Sequence, residues 1–250
     1  MKIPLFAGIA LFLTVSHSFA LPHRPQPVTG HEEYLEAQNL IYGEADDYDR
    51  IENLLESAGR SFSEARPTEL SDYWLSRLHL LTATWYNWRN ESRRAQWELE
   101  EAFRNIDSAL SQGDFSDGWR VFADANSQMA MARGFIYMIR HGEEVRNATL
   151  LALDLDPANI HANITAAGYY LNAPAFAGGD PARGLQLLEY ALNLEEESEA
   201  DRFLVLAWLS VGYAKEDDKQ KARRYWYEAL RIFPDSSFLQ TIDEEYDLTP

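Results

Sequence analysis

The chain of 250 residues contains no cysteine, so it forms no disulfide and offers a metal no thiolate ligand. Basic residues are also scarce: there are 22 Lys and Arg against 40 Asp and Glu, for a net charge of −18. Such a surface repels phosphate backbones, which argues against nucleic-acid binding. Beyond the first twenty residues no apolar run is long enough for a transmembrane helix, so we predict no membrane span in the mature chain.

The common catalytic and cofactor motifs are missing as well. The six histidines form no H-E-x-x-H pair, and there is no G-x-S-x-G elbow, P-loop or G-x-G-x-x-G loop. His31-Glu32-Glu33 could touch a metal, but a solvated helix start, where acidic residues suit the helix dipole, is the favoured explanation. The carboxylates lie in runs typical of turns and tails, which leaves a buried acid pair open without singling one out. We therefore predict no catalytic residues, no metal site, no cofactor and no enzymatic activity.

The first thirty residues differ from the rest in composition. A short positive start is followed by an apolar stretch at 3–15 and by Ser18-Phe19-Ala20, a small-x-small pattern typical of secretory cleavage sites. We expect a signal peptide at 1–20 that is cleaved after Ala20, and hence a periplasmic or secreted protein. The lack of cysteine favours a bacterial periplasm. Residues 21–30 form a proline-rich leader of extended character.

From residue 31 onward the apolar pattern is helical and never alternates as in a strand. The segments come in pairs, which predicts an all-α fold of four or five stacked antiparallel helical hairpins in one domain over 31–250. We place the break inside the third pair at His141-Gly142. The first three predicted pairs are 31–43 with 49–65, 68–90 with 91–110, and 119–140 with 145–155.

The clearest repeat unit spans residues 203–236. Its apolar and small residues recur at the spacing of two closely packed helices: Leu206, Leu209, Tyr213, Ala222, Trp226 and Ala229. The acidic stretch Glu216-Asp217-Asp218 supplies the turn and the N-cap of the second helix, and Pro234 ends that helix. This pattern resembles a tetratricopeptide repeat (TPR), with Ser210 in place of the usual glycine. The clearest units lie at about 126–157, 160–198 and 203–236, and together they imply a TPR-like α-solenoid.

A second resemblance centres on residues 169–181. A Tyr-Tyr helix end, a short Pro/Phe segment, Gly-Gly-Asp and a helix of GLxLLExALxL type are similar to the T component of TRAP transporters. This resemblance covers mainly 157–234. It implies a periplasmic TPR-like protein that associates with the transporter's solute-binding protein, forms homo-oligomers and has a pocket for a small apolar or carboxylate ligand.

Candidate binding residues lie on two surfaces. In TPR geometry the first helix of each hairpin lines a concave groove, which by resemblance includes Ser127, Ala130, Gly134, Tyr137, His161 and Ile164. The other surface is the loop 172–180, where Gly178 and Gly179 permit positive φ and expose backbone N–H groups. The loop precedes a helix whose N-terminus is capped by Asp180 and favours anions. A purely structural loop that packs Phe176 on the next hairpin stays an open alternative. The candidate residues are Tyr137, His161, Ile164, Asn172, Phe176, Gly178, Gly179 and Asp180.

Taken together, the sequence predicts a secreted or periplasmic TPR-like scaffold or adaptor for a protein partner, associated with a TRAP-type transporter. The alternative is a carrier of a small apolar or carboxylate ligand that uses the loop 172–180 and the aromatic cluster around Trp85. An enzyme with a site hidden in the groove is a third, weaker alternative. The sequence leaves open whether the groove is open or closed.

Overall fold

The computed structural model describes residues 25–249, so the expected signal peptide lies outside the described residues. Over that range the chain forms eleven α-helices and one short 3-10 turn, Ala175–Ala177, without any strand, which confirms the all-α prediction. The α-helices are α1 (His31–Tyr42), α2 (Tyr48–Ser63), α3 (Thr68–Trp88), α4 (Ser92–Leu110), α5 (Ser116–Arg133), α6 (Phe135–Leu155), α7 (Ile160–Asn172), α8 (Pro181–Ala191), α9 (Glu199–Lys215), α10 (Lys219–Leu230) and α11 (Ser237–Tyr246). None of these helices is both long and apolar enough to cross a membrane.

Successive helices pack in antiparallel pairs, as predicted. The pairs are α1–α2, α3–α4, α5–α6, α7–α8 and α9–α10, and α11 packs at the end against α9 and α10. Small residues sit where the two helices of a pair meet: Ala222 and Ala229 of α10 are fully buried. They allow the backbones to approach closely. Trp226 on the same face donates from its indole N–H to the carbonyl of Leu239 at 2.9 Å, which fastens α11 to the last pair.

The third pair differs from the prediction. The predicted break at His141-Gly142 is wrong, because α6 runs through both residues and the chain turns at Gly134 instead. Gly134 has φ 80° and ψ −169°, a conformation open in practice only to glycine. Its N–H donates to the carbonyl of Ala130 at 2.8 Å and so closes α5. The hairpin therefore has two long helices instead of one long and one short.

The first and last pairs also contact each other. Ser198, which caps α9, donates from its hydroxyl to the side-chain oxygen of Gln38 at 3.3 Å, and the N–H of Ala200 donates to the side chain of Asn39 at 3.1 Å. Tyr42 of α1 packs against Phe203 of α9 with ring centroids 6.4 Å apart. We call the first helix of each pair an inner helix; these are α1, α3, α5, α7 and α9. Each inner helix touches two other inner helices, so the five form a closed ring.

Candidate functional site

Polar side chains gather at the edge of the ring where the inner helices begin. His31 is the first residue of α1, Asp117 lies in the first turn of α5, His161 in the first turn of α7, and Asp201 in the first turn of α9. The inner helices run side by side, so their N-terminal ends lie close together. We call this group the inner polar cluster: His31, Tyr73, Arg77, Asp117, Arg120, Asn159, His161, Glu197 and Asp201.

Asp117 and Arg120 form the innermost ion pair of the cluster. The Nη2 and Nε atoms of Arg120 donate to the two carboxylate oxygens of Asp117 at 2.8 and 2.9 Å, and both side chains are buried. Tyr73 donates from its hydroxyl to the same carboxylate. Burial alone would raise the pKa of Asp117, but the charges of Arg120 and Arg77 outweigh it and hold that pKa well below its usual range. Asp117 is therefore an ionised, fully buried carboxylate.

Arg77 occupies the middle of the cluster, although it belongs to the otherwise apolar face of α3. Its side chain is only 3% exposed and its guanidinium lies 5.0 Å from the ring centre of Tyr34 and 4.9 Å from that of Trp74. Its Nη1 atom lies 4.0 Å from Asp117 and 3.6 Å from Glu197. The aromatic rings hold the cation in place on one side while the carboxylates neutralise it on the other.

A second group of the cluster joins α7 to the start of α9. The Nε2 atom of His161 lies 3.7 Å from Glu197, and its Nδ1 atom lies 3.7 Å from Asp201. Burial lowers the pKa of His161, but the carboxylates of Asp201 and Glu197 more than offset it, so this pKa is raised. Conversely, burial would raise the pKa of Glu197, but contact with His161 and Arg77 lowers it. The imidazole is thus held between two carboxylates.

A cavity of about 320 Å³ opens beside these residues. Its wall combines aromatic and proline surface with acidic and imidazole groups, including Pro27, His31, Tyr73, Asp117, His161 and Glu197. Glu195 and Glu196 lie at the same wall, so carboxylates dominate its charge. Such a lining suits a cation or a neutral polar group, and it repels a carboxylate ligand.

The opposite edge of the ring carries a different surface. The turn between α5 and α6 projects from the body, and four large apolar side chains on it face solvent: Met131 (75% exposed), Ile136 (75%), Met138 (50%) and Ile139 (68%). We call residues 131–146 the α5–α6 tip. On the neighbouring α7–α8 turn, Phe176 is 94% exposed. Exposed apolar residues grouped in this way are typical of interaction surfaces.

Comparison with solved structures identifies the architecture. The chain is similar to a thermophilic TPR protein from Thermus thermophilus, with a TM-score of 0.55 and 18% sequence identity; the alignment covers 88% of this chain and 100% of that chain. The fold is a TPR-like α-solenoid. No protein-family model matches the sequence, and no curated protein does either. The resemblance to the TRAP transporter T component stays a prediction.

This TPR-like solenoid separates the predicted groove residues. His161 joins the inner polar cluster, whereas Ile164, on the next turn of α7, is 8% exposed and packs in the core formed by α7 to α11. Tyr137 was expected on the first helix of its hairpin, and this is wrong because the turn falls at Gly134 and places Tyr137 on α6. There its hydroxyl donates to the side chain of Asn126 at 3.1 Å.

The predicted loop residues lie away from the cluster, at the α7–α8 turn. Asp180 caps α8 as expected, since its side chain accepts from the N–H of Arg183 at 3.1 Å. Gly178 has the expected positive φ, 92°. Asn172 is exposed and donates to the carbonyl of Gly168 at 2.9 Å. The expected packing of Phe176 on the next hairpin is wrong, because the short 3-10 turn directs this side chain into solvent.

Sequence reasoning missed five charged members of the cluster: Arg77, Asp117, Arg120, Glu197 and Asp201. A signal was present for Arg77, which follows Tyr73 by four residues and therefore shares the buried face of the most aromatic helix. A charged residue on such a face indicates a buried partner. For Asp201 the capping-box spacing to Ser198 predicts only a helix start, which the structure shows. Their convergence depends on the closure of the ring, which no local pattern encodes.

Proposed function

We propose that this protein is a scaffold that binds a protein partner through the α5–α6 tip. The observation that carries this proposal is the group of exposed apolar residues on the tip, Met131, Ile136, Met138 and Ile139. A solenoid of this fold class presents rigid surfaces to partners. Methionine is common on surfaces that adapt to a bound partner, because its side chain is flexible and polarisable.

The shape of the tip supports docking. α6 has 21 residues and the neighbouring second helix α8 has 11, a difference of ten residues. At a rise of about 1.5 Å per residue this is about 15 Å of extra helix length. Nearly all described side chains of the tip are exposed or half-buried, so a partner could reach both the tip and the turn that carries Phe176. The rigid body of the ring would stay unchanged on binding.

The charge of the tip differs from that of the whole chain. Residues 131–146 contain three arginines and two glutamates, a net of +1, while the chain carries −18. Arg133 pairs with Glu100 at 2.7 Å, but Arg140 and Arg146 form no ion pair among the described residues. We therefore expect a partner whose docking surface is apolar with acidic residues around it, since complementary charge steers association and sets orientation.

The proposal extends to the location and the class of partner. The secretory pattern at residues 1–20 supports a periplasmic or secreted scaffold. The loop motif at 169–181 supports association with the solute-binding protein of a TRAP-type transporter. Such a solute-binding protein is thus the specific partner we propose.

Native mass spectrometry of the mature protein with periplasmic extract of its own host tests this proposal. We expect a stoichiometric complex that is lost in an Ile136→Asp/Ile139→Asp double variant, because both residues are exposed on the tip. Tyr190→Ala is the control, since Tyr190 is 47% exposed near the end of α8, at the edge of the ring away from the tip. A complex that survives the double variant, or no complex at all, would contradict the proposal.

The cavity at the inner polar cluster favours a second candidate function, carriage of a small ligand. Its acidic wall points to a cationic or neutral polar ligand instead of the carboxylate expected from the resemblance. A mass excess that persists through native purification and disappears on denaturation would support this function. Protein that is purified empty and shows no thermal shift with amines, amino acids and polyols would contradict it.

A further inference from the structure

Unsatisfied polar atoms are grouped in the inner polar cluster, and two of them belong to residues that line its cavity, His31 and His161. Buried polar groups in proteins almost always have hydrogen-bond partners, so atoms without one indicate a missing ligand, ion or water. Four such atoms meet here: Nε of Arg77, Nε2 of His31, Nε2 of His161 and Oδ1 of Asp201. Asp201 itself is completely buried. Nδ1 of His161 lies 3.7 Å from Oδ1 of Asp201, beyond hydrogen-bond distance, so a closer cation would stabilise the carboxylate further.

We propose that His161, Glu197 and Asp201 bind a divalent transition-metal ion of the zinc class. One ligand atom from each of these side chains lies within 4.8 Å of the other two. Nε2 of His161 is the nitrogen that would bind the ion, because it lies 3.7 Å from Glu197 and has no hydrogen-bond partner. Zinc takes nitrogen and oxygen ligands at about 2.0–2.2 Å, which places the ligand atoms about 3.3 Å from one another, so the three side chains would draw together by about 1.5 Å at most.

The ligand types decide the class of ion. One imidazole with two carboxylates suits zinc and its transition-metal neighbours, whereas calcium and magnesium prefer oxygen ligands alone. The chain has no cysteine, so thiolate-dependent zinc sites are excluded and this mixed set is the type still available. The cavity leaves room for water to complete the coordination.

The backbone already orients one ligand. Oδ2 of Asp201 accepts from the N–H groups of Glu197 and Ser198 at 2.9 and 3.0 Å, in the capping box of α9. This arrangement holds the carboxylate in place and leaves Oδ1 unpartnered, on the side where His161 lies. Such support of a ligand from its surroundings is what metal sites use to fix geometry.

The charges around the site are compatible with a divalent ion. Glu197 faces two further basic groups, Arg77 at 3.6 Å and His31 at 3.9 Å. His161 must be neutral to bind an ion, and in that form two carboxylates and one guanidinium give the site a charge of about −1. His31 offers an additional unpartnered imidazole nitrogen next to Glu197. The ion would fasten α7 to the start of α9, next to the contact that closes the ring.

Titration calorimetry with zinc chloride on chelator-treated, dialysed full-length mature protein tests the site. We expect one zinc ion per chain, and a cobalt-substituted form with visible absorption typical of a mixed nitrogen and oxygen site. Glu197→Gln and His161→Gln should each raise the Kd at least about tenfold, since even residues that only support a ligand contribute on this scale. The Glu197 side chain is 41% exposed and glutamine has the same shape, and the thermal midpoint of Glu197→Gln without zinc separates loss of binding from loss of stability.

His141→Gln is the matched control. His141 also contacts a carboxylate, that of Glu144 at 3.0 Å, but no third ligand lies beside this exposed pair in the described part of the chain. We expect zinc binding to be unchanged in this variant. The proposal would be overturned if the wild type showed no saturable zinc binding. It would also be overturned if Glu197→Gln and His161→Gln bound zinc as tightly as the wild type, or if His141→Gln lost binding.

Discussion

Gly179 is required in its loop for a different reason from the one that the sequence suggests. The loop glycines were expected to supply positive φ, and only Gly178 does so. At Gly179 the requirement is space: a Cβ would lie 1.7 Å from the carbonyl oxygen of Ala173. The sequence indicates that glycine is needed in this loop, but the close approach of Ala173 depends on how the turn folds back on the end of α7.

We predict that Gly179→Ala lowers the free energy of unfolding by about 1–3 kcal/mol, because backbone must shift to admit the methyl group. Urea denaturation measures this change. Gly168→Ala on α7 is the control: a Cβ there meets only Trp208, at an ordinary 3.9 Å, so stability should be kept or raised. Equal urea midpoints for Gly179→Ala and the wild type would show that Gly179 does not lie close to the carbonyl of Ala173.

The ionisation of Asp117 makes the free energy of unfolding depend on pH. Its folded-state pKa lies below that of the unfolded chain because Arg120 and Arg77 outweigh burial. The stabilisation is therefore complete above the unfolded value of about 3.9 and is lost as the pH falls below it. Asp117→Asn should cost about 3–5 kcal/mol at pH 7, since Arg77 and Arg120 lose their buried counter-charge.

Urea midpoints at pH 7 and pH 3 test this prediction. The difference between Asp117→Asn and the wild type should shrink at pH 3, where the wild type loses part of the same stabilisation. A difference that is the same at both pH values would mean that the charge of Asp117 does not stabilise the fold.

At the scale of the element, helix types and most helix ends could be predicted, and one turn could not. The apolar period and the caps at Asp180 and Asp218 gave helices close to those observed. In the third hairpin two glycines, Gly134 and Gly142, were candidates for the turn. Helix α6 tolerates Gly142, while Gly134 adopts a conformation that only glycine reaches easily. Glycine identity alone does not distinguish these two cases.

This difference can be measured by exchanging each glycine for alanine. We predict that Gly134→Ala destabilises the protein by about 1–3 kcal/mol through backbone strain, although open space surrounds the position. Gly142→Ala should instead stabilise α6 by about 0.5–1 kcal/mol. If Gly142→Ala instead had the lower thermal midpoint, the turn would lie at His141-Gly142, as first expected from the sequence.

At the scale of the whole molecule, the closed ring is the feature that sequence did not predict. Each hairpin carries the same short-range pattern whether the solenoid stays open or closes, because curvature accumulates from small rotations between neighbours. The contacts that close it are separated by about 160 residues in the chain, such as Gln38 with Ser198. The inner polar cluster depends on the same closure, so the sequence did not predict the cluster either.

Because the ring is closed, we predict that a destabilising substitution in α1 also weakens the protection of α9 against hydrogen exchange. Tyr42→Ala removes the ring that packs on Phe203, and hydrogen exchange should show weaker protection of α9 amides. Leu55→Ala on α2 is the control, since it empties a buried position of the same hairpin and α2 does not pack on α9. In an open solenoid, both variants would affect only the hairpins next to the first one.

The central claim is that the α5–α6 tip binds a protein partner, and site-specific photo-crosslinking in the native host tests it most directly. A photoreactive residue placed at Ile139 should capture one dominant partner, identified by mass spectrometry as a solute-binding protein under our proposal. The same residue at Tyr190, an exposed site near the end of α8, should not capture it. Capture at Tyr190 with none at Ile139 would contradict the assignment of the tip as the docking surface.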